Sequence, residues 1–309
     1  RLVAISLLVV SACNAQAQTE LDQYGGLRSL NFGPGKCFRT HYDGQRWWLV
    51  TPDGGAFLSL GINVVRSDGD TEKGTNRHPY NEHILQKYGS AENWAATTRK
   101  RLNEWGFTTL GNWSSREIDK VPYTLELPFS PGWGKNSVPD FFEPKMEEDF
   151  RNGVNGIEAR ADDPYLLGYY LANELPWGTD WRLMPNLFEG YMAMPPEAPG
   201  KKRLIAFFSE RYPTLSEFNS VWNAALADWN GLGAMQALVP RDRSRARADR
   251  EEFALVAARQ YFKMATEAIR ARDKNHLILG CRFIWATVPR PVVKACGEYC
   301  DVVSINCYE

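Results

Sequence analysis

The chain is 309 residues long, too long for one small domain and sufficient for one large one, since a (β/α)8 barrel alone takes about 250. Hydrophobic residues make up 44% and charged residues 24%, which excludes disordered and fibrous classes. Lysine plus arginine total 36 against 37 acidic residues, so a net charge of −1 gives no electrostatic footprint for nucleic acid or an anionic membrane surface.

Arg1 precedes an apolar run from Leu2 to Val10 and then the small residues Ser11, Ala12 and Cys13. Residues 1–20 therefore read as an export signal, too short to span a bilayer as a mature helix. Two cleavage sites fit. Val10-Ser11-Ala12-Cys13 resembles a bacterial lipobox, with a lipid on Cys13 as the only membrane attachment expected. Ala15-Gln16-Ala17 fits the small-x-small rule of plain secretion. Either predicts an exported protein, as an outer-membrane lipoprotein or in periplasmic or extracellular form. The sequence has no initiator methionine and stops within a strand pattern at Tyr308-Glu309, so a piece truncated at both ends is expected.

A chain this size buries a core without staples, so its six cysteines are not needed as a disulfide framework. Cys296 and Cys300 fit either a mutual pair or two buried thiols. His41, His78, His83 and His276 show no zinc-like spacing, and no glycine-rich phosphate loop or G-x-S-x-G is present. No metal and no cofactor is expected.

In chain order, Trp47–Val50, the turn Thr51–Gly55 and Phe57–Leu60 predict a hairpin leading into a strand that ends near Asn63 to Val65. A polar loop spans Arg66 to Tyr80. Ser90 reads as the N-cap of a helix with Trp94, Thr98, Leu102 and Trp105 on one face and Gly106 just beyond its end. Strands follow at Phe107–Gly111 and Tyr123–Phe129, then an amphipathic helix over Pro144–Ala161. Tyr165–Leu171 is nearly all apolar, the signature of a strand buried on both faces. The region 176–248 reads as an insertion with two short helical pieces, Leu204–Tyr212 and Leu215–Trp229. The five arginines of Arg241–Arg250 read as a solvated loop, followed by a long helix starting after Asp249. Strand His276–Gly280, a short helix at Pro291–Cys296 and strand Asp301–Ile305 complete six strands in series. Alternating β and α elements predict a parallel sheet covered by helices, with a doubly wound sheet and a barrel both compatible.

Polar residues fall just past the strand ends: Asn63, Asn112, Asn173 with Glu174, Arg282, and Asn306 with Tyr308. In a barrel those ends share one face, where active sites form. Glu174 follows about seven apolar residues and precedes Leu175, Pro176 and Trp177. A carboxylate in such surroundings is expected to hold its proton more tightly than usual and so to serve as a general acid, an ion pair with Arg282 being the structural alternative.

Several stretches resemble glycoside hydrolases of clan A, and within it the β-agarase-like enzymes of family 50: Trp48–Gly54, Ser59–Asn63, Trp105–Trp113, Leu167–Gly178, Asn275–Phe283 and Asp301–Tyr308. Glu210–Trp222 is similar to family 42 β-galactosidases. The resemblance implies a (β/α)8 TIM barrel over residues 21–309, truncated after about the sixth strand, and an O-glycosyl hydrolase whose substrate is a polysaccharide or oligosaccharide. It implies a retaining double displacement with Glu174 as acid/base and the nucleophilic glutamate on a seventh strand, beyond this chain; Glu309 lies one strand too early and is not assigned. By the same resemblance Asn173 would bind the 2-hydroxyl and Tyr308 would orient the nucleophile. Asn63, Asn112, Arg282 and Asn306 would line the cleft, and Trp113 and Trp177 would offer flat faces to sugar rings. A β-galactosidase, another clan A activity and a carbohydrate-binding barrel without chemistry are the alternatives. With two strands absent, the 309 residues alone would be inactive.

Overall fold

The structure, a computed structural model, describes residues 20–130, 138–178 and 185–308. The predicted export signal with Cys13, and Glu309, lie outside the described residues. Among the described residues no helix is long and apolar enough to cross a membrane. The chain forms two compact units. The first comprises the chain as far as Glu126 together with Ala159–Tyr169 and Asn275–Leu277; the second holds the remainder.

The first unit begins with β1 (Leu27–Asn31), β2 (Arg39–Tyr42), β3 (Trp47–Val50) and β4 (Gly55–Phe57), an antiparallel sheet in the order β1-β4-β3-β2. The expected hairpin is thus the centre of a four-stranded sheet. It does not run on into the next strand, because β4 stops at Phe57 and the exposed Leu58 and Leu60 separate it from β5 (Gly61–Ile62). The polar loop is interrupted by α1 (Pro79–Tyr88), started by a proline in its first turn. Next comes α2 (Ala91–Glu104), where Ser90 Oγ accepts from the Asn93 amide and Gly106 takes the left-handed φ of +80° that a side chain disfavours. A second sheet then places β5, β6 (Thr109–Leu110), β7 (Tyr123–Glu126), β8 (Leu166–Tyr170) and β9 (Leu277–Ile278) side by side in chain order. Its first two pairings are parallel, as predicted. Chain order without reversal excludes the doubly wound alternative, which requires a switch point where the order turns back.

The second unit has strand-like hydrogen bonds of its own. The Leu127 and Phe129 amides donate to the Tyr170 and Leu171 carbonyls, and the Leu171 amide donates to Gly280. β10 (Phe283–Ile284) pairs in parallel with β11 (Ile305–Asn306). The fifth predicted strand, His276–Gly280, is shortened to β9, and β10 follows as a separate strand beyond the positive φ of Gly280 and Arg282. Helices here are α3 (Pro144–Gly153), α4 (Leu187–Met192), α5 (Pro199–Arg211), α6 (Leu215–Trp222), α7 (Arg243–Arg270) and α8 (Arg290–Tyr299). The two helical pieces expected after Gly178 are α5 and α6, the second ending at Trp222 rather than Trp229, and α4 is a further helix that the sequence reading did not contain. Asn186 and Thr214 cap α4 and α6 with their side chains, and Phe188 stacks on Trp222 at 5.2 Å in a small aromatic core. The arginine run predicted as a loop forms the first turns of α7, capped by Asp242, because its charges find partners: Arg245 with Glu217, Arg247 with Glu251 and Arg250 with Glu189. Cys296 and Cys300 are free thiols, and their mutual hydrogen bond together with burial pushes the Cys300 thiol well up.

Candidate active site

Four residues just past the strand ends hold left-handed backbones although none is glycine: Val64, Trp113, Glu174 and Arg282, with φ of 59°, 62°, 54° and 47°. Each such position costs on the order of 1 kcal/mol or more, and such strain concentrates where geometry matters more than stability.

In the second unit, β8 delivers Asn173 and Glu174, and β11 delivers Asn306 and Tyr308. Asn306 Nδ2 donates to Glu174 Oε1 at 2.8 Å and to Asn173 Oδ1 at 3.2 Å, tying the two neighbours together. The Tyr308 hydroxyl donates to the same Glu174 oxygen at 3.0 Å. That hydrogen bond to the carboxylate raises the Tyr308 phenol above its ordinary value, so it remains a donor through neutral pH. The Glu174 amide donates to the Arg282 carbonyl, and the Arg282 amide donates to Ser304 Oγ. The Arg282 guanidinium lies 5.6 Å from the centre of the Tyr170 ring. Glu174 is half-buried. The apolar run in sequence suggests a sealed carboxyl, whereas folding provides two donors on one of its oxygens, one of them from a tyrosine 77% exposed.

In the first unit, β5, β6 and β7 bring Asn63, Asn112 and Trp113 together. Asn63 is exposed and its Oδ1 overlies Gly111, where a Cβ would come within 2.0 Å of it; only glycine permits that approach. The loops beyond β5 and β6 are joined by the Val64 amide to the Asn112 carbonyl and the Val65 amide to Ser114 Oγ. Trp113 is 48% exposed on this turn. Asn112 is 1% exposed, so the expectation that it lines an open cleft is corrected: its amide is enclosed, accepting from Thr124 Oγ1 at 2.9 Å and donating to Glu126 Oε2 at 3.0 Å.

Trp177 is corrected too. It is 1% exposed, stacked on Phe262 at 5.7 Å and edge-on to Tyr261 at 5.1 Å, so it is core and presents no face to a sugar. Two polar side chains escaped the sequence reading. Tyr170 lies within a run taken for core, and Glu126 lies within a strand read as continuing to Phe129. The signal for Glu126 was available, since an acidic residue inside an apolar run suggests that the run ends there.

The site thus belongs to an α/β chain with strands in sequential order and a carboxylate held at a strand end. More particularly, the chain is β-agarase-like. It is 26% identical over 331 aligned positions to β-agarase A of Vibrio sp. (strain JT0107), covering 85% of this chain and 33% of that protein. It is 27% identical over 350 positions to β-agarase B of the same strain, covering 88% and 36%. The chain thus spans about a third of the length of these curated relatives. Among solved structures, PfGH50B superposes with a TM-score of 0.82 at 22% identity, over 98% of this chain and 55% of that one. An exo-β-agarase does so with 0.79 at 21%, over 94% and 52%. These likenesses establish a shared fold. A β-galactosidase from the psychrophilic Marinomonas ef1 is more distant, with a TM-score of 0.52 at 12% identity over 81% of this chain and 41% of that one. No family model matches the chain.

Proposed function

We propose that this chain is the acid/base-bearing part of a retaining glycoside hydrolase that cleaves β-galactosidic linkages in an agarose-type polysaccharide. The observation that carries the reading is Glu174, held in a strained turn at the end of β8 with Asn306 and Tyr308 both donating to Oε1. A carboxyl fixed at one oxygen is oriented for proton transfer, which contributes about 10²- to 10⁴-fold to such reactions. Glu174 protonates the glycosidic oxygen as the bond breaks, then takes a proton from the water that completes hydrolysis. The partner carboxylate of a retaining enzyme stands about 5–5.5 Å away, and none is assigned within residues 20–308. Asn173, its Oδ1 engaged by Asn306, turns its Nδ2 donors to the 2-hydroxyl of the sugar, while Arg282 and Trp113 contact other parts of the glycan. The architecture proposed is an incomplete (β/α)8 barrel. Supporting it, Leu58 and Leu60 beside β5 in the first unit, and Val303 and Ile305 around β11 in the second, are apolar yet exposed, as at the edges of an unclosed parallel sheet.

The test is Glu174→Gln in the complete gene product. Hydrolysis of agarose is expected to fall at least about 10³-fold while agarose oligosaccharides still bind. Unchanged hydrolysis removes the assignment, and products released only from small β-galactosides replace agarose as the substrate. Export with a lipid on Cys13 belongs to the same proposal, and retention of a labelled fatty acid by a Cys13→Ser variant would refute the anchor.

A further inference from the structure

The Thr124–Asn112–Glu126 relay was not expected from the sequence and is not explained by stability. Thr124 is 6% and Asn112 1% exposed, yet both place polar atoms in the interior. Their hydrogen bonds run in one direction: Thr124 Oγ1 donates to Asn112 Oδ1, and Asn112 Nδ2 donates to Glu126 Oε2. The far end of the relay is a carboxylate, which only accepts, so the orientation of the Asn112 amide is fixed. Replacing both members of a buried polar pair with apolar groups of the same shape can be nearly neutral, so stability alone does not require the relay. What the relay does accomplish is to set the rotamer of a half-buried carboxylate at the C-terminal end of β7. On the same side of this parallel sheet stand the exposed Asn63 and the half-exposed Trp113, at the ends of β5 and β6.

We propose that Glu126 is a substrate-binding residue accepting hydrogen bonds from sugar hydroxyls, and that Asn112 and Thr124 are its positioning residues. The inference rests on the glycoside hydrolase reading above. A carboxylate fits vicinal hydroxyls of a neutral pyranose because it offers only acceptors, and hydroxyls can each donate. Trp113, on the adjacent turn, offers the apolar surface that the ring's C–H face requires. Asn112, buried, touches no substrate and acts through Glu126 alone.

The experiment measures steady-state hydrolysis of an agarose hexasaccharide by the complete gene product and its variants, alongside thermal unfolding. Glu126→Gln, which keeps shape and removes charge, is expected to raise KM about 10-fold or more with kcat within about 3-fold. Thr124→Val releases the relay at constant volume. It leaves the buried Asn112 Oδ1 without a donor and so lowers the unfolding midpoint. It is expected to raise KM about 3-fold under conditions where the protein stays fully folded, which a purely structural role would not do. Asn112→Asp sets one carboxylate against another and is expected to be worse for KM than Asn112→Ala. Wild-type turnover with an unchanged KM in Glu126→Gln overturns the inference and leaves the glycosidase reading intact. A Thr124→Val protein that is less stable but keeps the wild-type KM while fully folded assigns the relay to the fold and equally overturns it. Absence of turnover and of hexasaccharide binding in the wild-type protein refutes the function itself, and this inference with it.

Discussion

Two carboxylates of the second unit, Asp249 in the helical region and Glu174 at the strand ends, are surrounded by similar groups and held very differently. Asp249, on α7, is 1% exposed and receives Arg211 Nε at 2.5 Å on one oxygen, with the Tyr212 hydroxyl at 2.6 Å and Trp222 Nε1 at 2.9 Å on the other. Tyr212 and Trp222 are themselves buried, and burial followed by the charge of Asp249 pushes the Tyr212 phenol well up. Glu174 is half-buried, and one of its donors, Tyr308, stands almost entirely in solvent. Donors that converge from the interior and cannot leave make a fastener that joins α5, α6 and α7. A half-buried carboxyl with one donor that stands in solvent has at least one hydrogen bond that water can replace. The number of hydrogen bonds matters less than whether the surroundings let them break.

The comparison breaks most visibly under substitution. Asp249→Ala is expected to destabilise the protein by about 3–5 kcal/mol, because Arg211 and two buried donors lose their acceptor. Activity per folded molecule should remain. Glu174→Gln should show the reverse, with stability within about 0.5 kcal/mol of wild type and chemistry lost. Chemical unfolding of the two variants measures both, and equal stability losses would erase the distinction drawn between the two sites. Tyr308→Phe sharpens the picture at smaller scale: one hydrogen bond to Glu174 disappears, and turnover should fall about 10-fold with no change in stability, since the ring is 77% exposed. A stability loss without a kinetic effect would make Tyr308 a structural residue.

Much of this was legible in sequence, for a physical reason. Strands buried on both faces must be apolar throughout, so Tyr165–Leu171 and the polar pair that ends it stand out in the chain. The leading sheet was half hidden, because β1 is exposed at four of its five positions and its register with β4 shifts, leaving no alternation to read. Trp177 was misplaced because an apolar residue beside a catalytic candidate satisfies a rim and a core equally well, and only packing separates them. Glu126 was missed through a three-residue error in where its strand ends. The arginines of α7 resembled a loop because their partners Glu217 and Glu189 lie on other helices, at separations a local reading does not span.

A third charged group of the second unit sharpens the comparison through pH. Lys201, on α5, is fully buried, and its Nζ donates to the Met192 carbonyl and, at 2.5 Å, to that of Met235. Burial disfavours the ammonium and lowers its pKa from 10.5 to about 8. Below about pH 8 folded and unfolded chains both hold the proton, and the cost of the buried charge is fully present. Between about 8 and 10.5 the unfolded chain still holds a proton that the folded one has released, so stability rises with pH across that window. Lys201→Met removes the titration, so the wild-type-minus-variant difference in unfolding free energy should climb over the window by about 3 kcal/mol. Subtracting the variant cancels the phenols and other lysines that titrate in the same range. A difference that stays flat or falls would mean that the two carbonyls solvate the ammonium at least as well as water does, which would make Lys201 a fastener.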